Sequence, residues 1–267
     1  MTSPRLTAKI ETEEPTMSLA VLIDADNAQA AVIDDLLAEI ARFGDATVKR
    51  IYGDFTAPTS ASWKKVLQKY AIKPIQQFAY TTGKNATDST MIIDAMDLLY
   101  TRKFDGFCLI TSDSDFTGLA VRIREEGLTV LGFGEKKTPM AFRNACHKFI
   151  FTEVLRPSEN DELSEPAQLN ESHKKIAESQ ITSTAPSANK RFPEKFILSA
   201  LDQSTDDTGW AQLGTFGSYL TKLQPDFDSR LYGYKKLSDL VKAKKELFQT
   251  EERQTLSGKQ NLYVRSK

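Results

Sequence analysis

Two aspartate pairs stand out in the 267-residue chain, Asp24 with Asp26 and Asp113 with Asp115. Each follows an apolar run, Leu19 to Ile23 in the first case and Phe107 to Ile110 with Thr111-Ser112 in the second. Asp88 stands between the pairs, at the start of a helical pattern. Carboxylates gathered in one place repel one another unless a divalent cation neutralises them. With no histidine or cysteine among the candidates, the donors are hard oxygens, which select Mg²⁺ or Mn²⁺. Such a cluster activates water and offsets charge on a phosphoryl group during in-line displacement, so phosphodiester hydrolysis is the reaction it suits. Taken singly, each aspartate could instead cap the helix that follows it. Two D-x-D pairs at the ends of two buried strands favour joint metal binding. Asp94 and Asp97 lie further along the helix that Asp88 opens. For Asp94 a supporting role behind the cluster and a solvated helix face are both open. Lys84, in the loop before Asp88, is either a phosphate contact or an ordinary solvated lysine.

These acids converge only if the surrounding elements bring them to one edge. Apolar strands alternate with helical patterns: strand 19–23, helix 28–43 stopped by Gly44, strand 48–52, helix 60–70, and an irregular strand 72–78 containing Pro74. There follow helix 89–100, strand 107–110, helix 116–126 ended by Gly127, strand 128–133, a short helix 140–145 and strand 149–151. Repeated βα units with short connections predict an α/β fold, a parallel sheet with helices on both faces. In the usual 3-2-1-4-5 order the first and fourth strands are neighbours. The aspartates then share one crevice at the carboxyl edge, where such sheets bind ligands.

The chain carries 35 Lys+Arg against 36 Asp+Glu, a net charge of −1, so as a whole it is no electrostatic sponge for nucleic acid. The balance is uneven, because residues 191–267 hold 13 basic and 10 acidic side chains. Two cysteines exclude a disulfide framework, and two histidines exclude a His-rich metal site. The polar start lacks an apolar signal core, and no apolar stretch is long enough to span a bilayer, so a cytoplasmic protein is expected. Residues 1–17 read as a leader, 18–156 as the catalytic domain, and 157–190, without an aromatic, as a linker. Helical patterns at 193–201, 213–223 and 236–243 precede a hairpin of 248–251 with 261–264, turning at Ser257-Gly258. Three small helices and a two-stranded wing predict a winged helix over 191–267. Tyr232, Tyr234, Lys235 and Lys236 set aromatics beside cations, the combination that stacks bases and follows phosphates. Alternatively Tyr234 packs in the core and the lysines form a solvated face.

The motif order Val21-Leu-Ile-Asp24-Ala-Asp-Asn27, Gly83-Lys-Asn-Ala-Thr-Asp88 and Leu109-Ile-Thr-Ser-Asp113-Ser-Asp115-Phe116 resembles the NYN domain of the PIN-like nuclease superfamily. The resemblance implies a Rossmann-like parallel sheet and a metal-dependent ribonuclease leaving 5′-phosphate and 3′-hydroxyl ends. It makes Asp24, Asp88 and Asp113 the metal-binding catalytic acids and Asp115 a fourth. It gives Asn27 the part of orienting the first acid, and leaves Asp26 as support. Phe216-Gly-Ser-Tyr-Leu-Thr-Lys222, Phe227 and Tyr234-Lys-Lys-Leu-Ser-Asp-Leu240 are similar to the OST-HTH/LOTUS domain, a small winged helix associated with RNA binding. RNA is the partner so implied, while neither a membrane nor a homo-oligomer is indicated. Two rival readings remain. One is an adaptor that binds RNA without cutting it. The other is a haloacid-dehalogenase-type phosphatase, whose opening motif Leu22-Ile-Asp24-Ala-Asp26 resembles, with Asp24 as nucleophile and Asp26 as general acid. Against the latter, Ala28 stands where Thr or Val is usual.

Overall fold

The computed structural model describes residues 16–56, 61–78, 86–155, 192–254 and 260–267. The chain divides into two compact units, Met1–Cys146 and His147–Lys267. Residues 1–15 of the leader, Lys84, the linker and the Ser257-Gly258 turn lie outside the described residues.

Strand β1 (Ser18–Asp24) pairs in parallel with β2 (Asp45–Gly53) on one side and β4 (Gly106–Ile110) on the other. Beyond them lie β3 (Lys73–Gln76) and β5 (Thr129–Gly134), also parallel. With β6 (Lys148–Phe151) the sheet has the order β3-β2-β1-β4-β5-β6, the expected order extended by one strand. Both central strands are buried almost throughout, which is why each reads as an unbroken apolar run rather than an alternation. In register Ile23 faces Ile110 and Asp24 faces Tyr52, so the chains leaving β1 and β4 emerge at the same edge. Pro74 is tolerated within β3 because an edge strand can forgo one amide donor.

The helices are α1 (Ile33–Ile40), α2 (Ala61–Tyr70), α3 (Ala86–Tyr100), α4 (Thr117–Glu125) and α5 (Met140–Ala145). The predicted first helix begins too early. Ala28 N–H closes a turn onto the carbonyl of Asp24 at 2.9 Å, and a 3₁₀ turn over Ala30–Val32 separates that loop from α1. In contrast α3 starts earlier than its periodicity suggests, which puts Asp88 in its first turn. The stop assigned to Gly127 holds, since its φ of 80° is left-handed backbone that a glycine adopts without strain.

The second unit contains α6 (Glu194–Asp202), α7 (Leu213–Leu223) and α8 (Leu237–Ala243). Its three-stranded sheet has the order β7-β9-β8, built from β7 (Ala211–Gln212), β8 (Phe248–Gln254) and β9 (Gln260–Ser266). Ile197, Phe216, Leu220, Leu240, Phe248 and Val264 close its core. The wing is longer than predicted and has a third strand, β7, whose two residues are too few to show a period.

Candidate metal centre

Asp24 ends β1 fully buried. Its Oδ1 accepts the Asp26 amide at 3.0 Å, and its Oδ2 accepts Asn27 Nδ2 and the Thr111 hydroxyl, each at 2.8 Å. Burial pushes the Asp24 carboxyl above the ordinary range, against the pull of those donors. Thr111 Oγ1 in turn accepts the amide of Asp113 at 3.1 Å. A single hydroxyl therefore ties the end of β1 to the loop after β4. Asp113 Oδ1 accepts the Asp115 amide at 3.0 Å, capping a 3₁₀ turn over Ser114–Phe116. Capping and clustering are thus compatible: the hydrogen bond that caps the turn also fixes the carboxylate at the crevice.

Asp88, Asp113 and Asp115 each offer a carboxylate oxygen, and these oxygens lie within 4.8 Å of one another. Asp24 stands outside this group of three, held by its own donors, yet its charge reaches Asp88. The Asp88 carboxyl is raised to about 6, first by burial and then by the charges of Asp24, Asp113, Asp115 and Asp26. An all-oxygen donor set under mutual repulsion fits a hard divalent ion such as Mg²⁺ or Mn²⁺. The buried Asp24 also weighs against the phosphatase reading, because a nucleophile must reach its substrate.

The Asp88 shift has a consequence for stability. In the folded chain this group keeps its proton up to about pH 6, whereas its ordinary value is 3.8. The folded state then binds more protons than the unfolded one across that window, so its contribution to stability falls as pH rises through it. A bound divalent cation offsets the repulsion once Asp88 ionises. The expected result is a larger rise in melting temperature on replacing EDTA with Mn²⁺ at pH 7.5 than at pH 5. Equal rises at both pH values would contradict it.

Asp94 neither joins the cluster nor forms a solvated face. It pairs with Arg50 and accepts the Tyr52 hydroxyl, pinning α3 to β2. Asp94 holds the Arg50 guanidinium above its usual range, and burial followed by Asp94 pushes the Tyr52 phenol up. Asp26 is exposed and serves Asp24 through its amide. Among the nucleic-acid candidates, Lys235 and Lys236 are exposed, while Tyr234 packs against the second unit's core. Tyr232 packs there too, edge-on to Phe192 at 5.5 Å, and burial raises its phenol to about 12. Arg253 and Arg265 lie over the Trp210 ring at 5.0 and 4.7 Å, so part of this unit's positive charge braces its wing. Sequence reasoning missed Thr111, whose partner carboxylate is 87 residues away. Its place directly after a buried strand, among the acids, was the available signal.

A parallel sheet with carboxylates gathered at its carboxyl edge fits a PIN-like fold. The NYN domain model matches residues 18–156, more than half the chain, and the protein belongs to that family. The OST-HTH/LOTUS domain model matches residues 186–258. No curated protein is similar enough to the chain to count as a match. Among solved structures, an uncharacterized protein of Nitrosomonas europaea is 60% identical over 36% of this chain and 92% of its own, with a TM-score of 0.29. A Chromobacterium violaceum protein is 33% identical over 31% of this chain and 87% of its own, with a TM-score of 0.25. A protein of unknown function from Vibrio parahaemolyticus is 15% identical over 51% and 93%, with a TM-score of 0.44.

Proposed function

We propose that the protein is a divalent-metal-dependent ribonuclease that hydrolyses RNA phosphodiester bonds, with an RNA-binding C-terminal module. The observation that carries this reading is the convergence of Asp88, Asp113 and Asp115 within 4.8 Å in an NYN domain. These three carboxylates would hold Mg²⁺ or Mn²⁺. When bound, the ion supplies Lewis-acid stabilisation of charge developing on the phosphoryl oxygens. Asp24 acts at one remove. Through Thr111 it sets the backbone from which Asp113 projects, and its charge adds to the negative potential that attracts a cation. The C-terminal module supports RNA as substrate through its OST-HTH/LOTUS match. Among the described residues no helix is long and apolar enough to cross a membrane; the proposed setting is the cytoplasm.

The test is a panel of labelled single-stranded, duplex and structured RNAs and DNAs, incubated with Mg²⁺, Mn²⁺ or EDTA. Cleavage of RNA that requires the metal and leaves 5′-phosphate ends is the expected result. RNA binding with no cleavage under any condition would overturn the nuclease and leave the adaptor. Hydrolysis of a simple aryl phosphate with no action on RNA would instead favour the phosphatase.

A further inference from the structure

The carboxyl edge of the first sheet is crowded with acids, and an RNA strand is itself a polyanion. Among the described residues of the loops that follow β1 to β5, only two are cations, Lys136 and Lys137, both in the loop after β5. The sheet order puts that loop beside the one carrying Asp113 and Asp115.

The loop is built rather than merely exposed. The Glu135 amide donates to Ser112 Oγ at 2.9 Å, and Ser112 directly precedes Asp113. Gln29, from the loop after β1, donates its side-chain amide to Glu135 Oε1 at 2.8 Å. The buried Thr138 donates both its amide, at 2.9 Å, and its hydroxyl, at 2.6 Å, to the Glu135 carbonyl. Glu135 Oε2 anchors Lys137 Nζ at 3.0 Å while 66% of that side chain stays exposed. Lys136 is exposed beside it. One glutamate therefore joins both acid-bearing loops and anchors the Lys137 ammonium, with Lys136 exposed next to it in the chain.

From this arrangement we infer that Lys136 and Lys137 form a phosphate-binding subsite for the RNA strand, holding backbone phosphates beside the acid cluster. The inference rests on the ribonuclease reading for its ligand and deepens it by naming where the strand is held. Lysine ammoniums suit this task because they meet phosphates as point charges without selecting a base. Glu135 holds Lys137 through its ion pair, within the loop beside the one that carries Asp113 and Asp115.

The experiment uses the full chain with a labelled single-stranded RNA in Ca²⁺, followed by fluorescence anisotropy across a salt series. Lys136→Gln/Lys137→Gln is compared with wild type and with Arg102→Gln/Lys103→Gln. The latter removes the same charge from exposed residues just before the opposite, amino end of β4. Each phosphate contact contributes about 0.7 to the slope of log affinity against log salt for a single strand. The loop variant is expected to show a slope shallower by about 1.4 and, relative to 1 M salt, roughly 25-fold weaker binding near 0.1 M salt. The control should match wild type. A loop variant whose slope equals that of the control overturns the subsite. Wild-type cleavage of the same RNA in Mn²⁺ is scored separately: altered slopes without cleavage sink the ribonuclease and keep the subsite, and cleavage with unaltered slopes does the reverse.

Discussion

Asp113→Asn is expected to lower the proposed metal-dependent RNA cleavage by about 10³-fold, the equivalent of roughly 4 kcal/mol of lost transition-state stabilisation. The fold should survive. Asparagine keeps the Oδ1 acceptor that receives the Asp115 amide, so the 3₁₀ turn over Ser114–Phe116 stays capped. The Thr111 bond to the residue-113 amide is untouched, since it uses the backbone. Removing one charge also relieves the crowding that raises Asp88, so the melting temperature without metal should hold or rise. Loss of cleavage with an unchanged or higher melting temperature is therefore the signature of a ligand. Asp88→Asn is the companion variant, because it removes a second member of the same group while leaving the Asp113 loop intact. Wild-type cleavage rates in either variant would end the assignment of these carboxylates to catalysis.

The parts legible in the sequence were those written in local pattern. Unbroken apolar runs announce β1 and β4 because helices cover both faces of a parallel sheet, and an aspartate just past such a run must sit at the carboxyl edge. Periodicity alone could not show how the edge is wired. Thr111 reads as one more loop residue until the register aligns Ile23 with Ile110 and brings its hydroxyl onto Asp24. Nor could it rank the acids. Asp24, the first motif residue in the chain, accepts three hydrogen bonds from Asp26, Asn27 and Thr111, and the close group consists of Asp88, Asp113 and Asp115. Similarly, the early part of the first predicted helix is occupied by the turn that holds Asp24, since side-chain and carbonyl bonds there compete with helical ones. In the second unit Tyr234 is spaced both as a core residue and as a base-stacking one, and it packs half-buried against the core.

Asp94 shows most clearly how distant residues set the site, and Asp94→Ala carries the largest expected stability loss. The substitution strips Arg50 of its carboxylate and leaves the buried Tyr52 hydroxyl without its acceptor. Removing one partner of a fully buried pair costs about 3–5 kcal/mol. Here the two side chains retain 23% and 21% of their exposure. Water can therefore recover part of that loss, and about 2–3 kcal/mol is expected. For a unit of this size that lowers the melting temperature by roughly 10 °C. Tyr52→Phe removes only the hydroxyl and should cost about 1 kcal/mol. The two changes share a partner, so the double variant should be less damaged than the sum of the singles. Additive losses would mean that the Tyr52 hydroxyl and the Arg50 pair act independently. The functional consequence follows from geometry along α3: Asp88 lies in its first turn, and Asp94 is where the helix is pinned to β2. Loosening that pin lets the first turn drift from Asp113 and Asp115, so Asp94→Ala should weaken Mn²⁺ binding as well as lower stability. Asp94→Asn keeps an acceptor for Tyr52 and should restore more of the metal affinity than of the stability. Unchanged Mn²⁺ affinity in Asp94→Ala would reduce Asp94 to a structural ion pair with no bearing on the cluster.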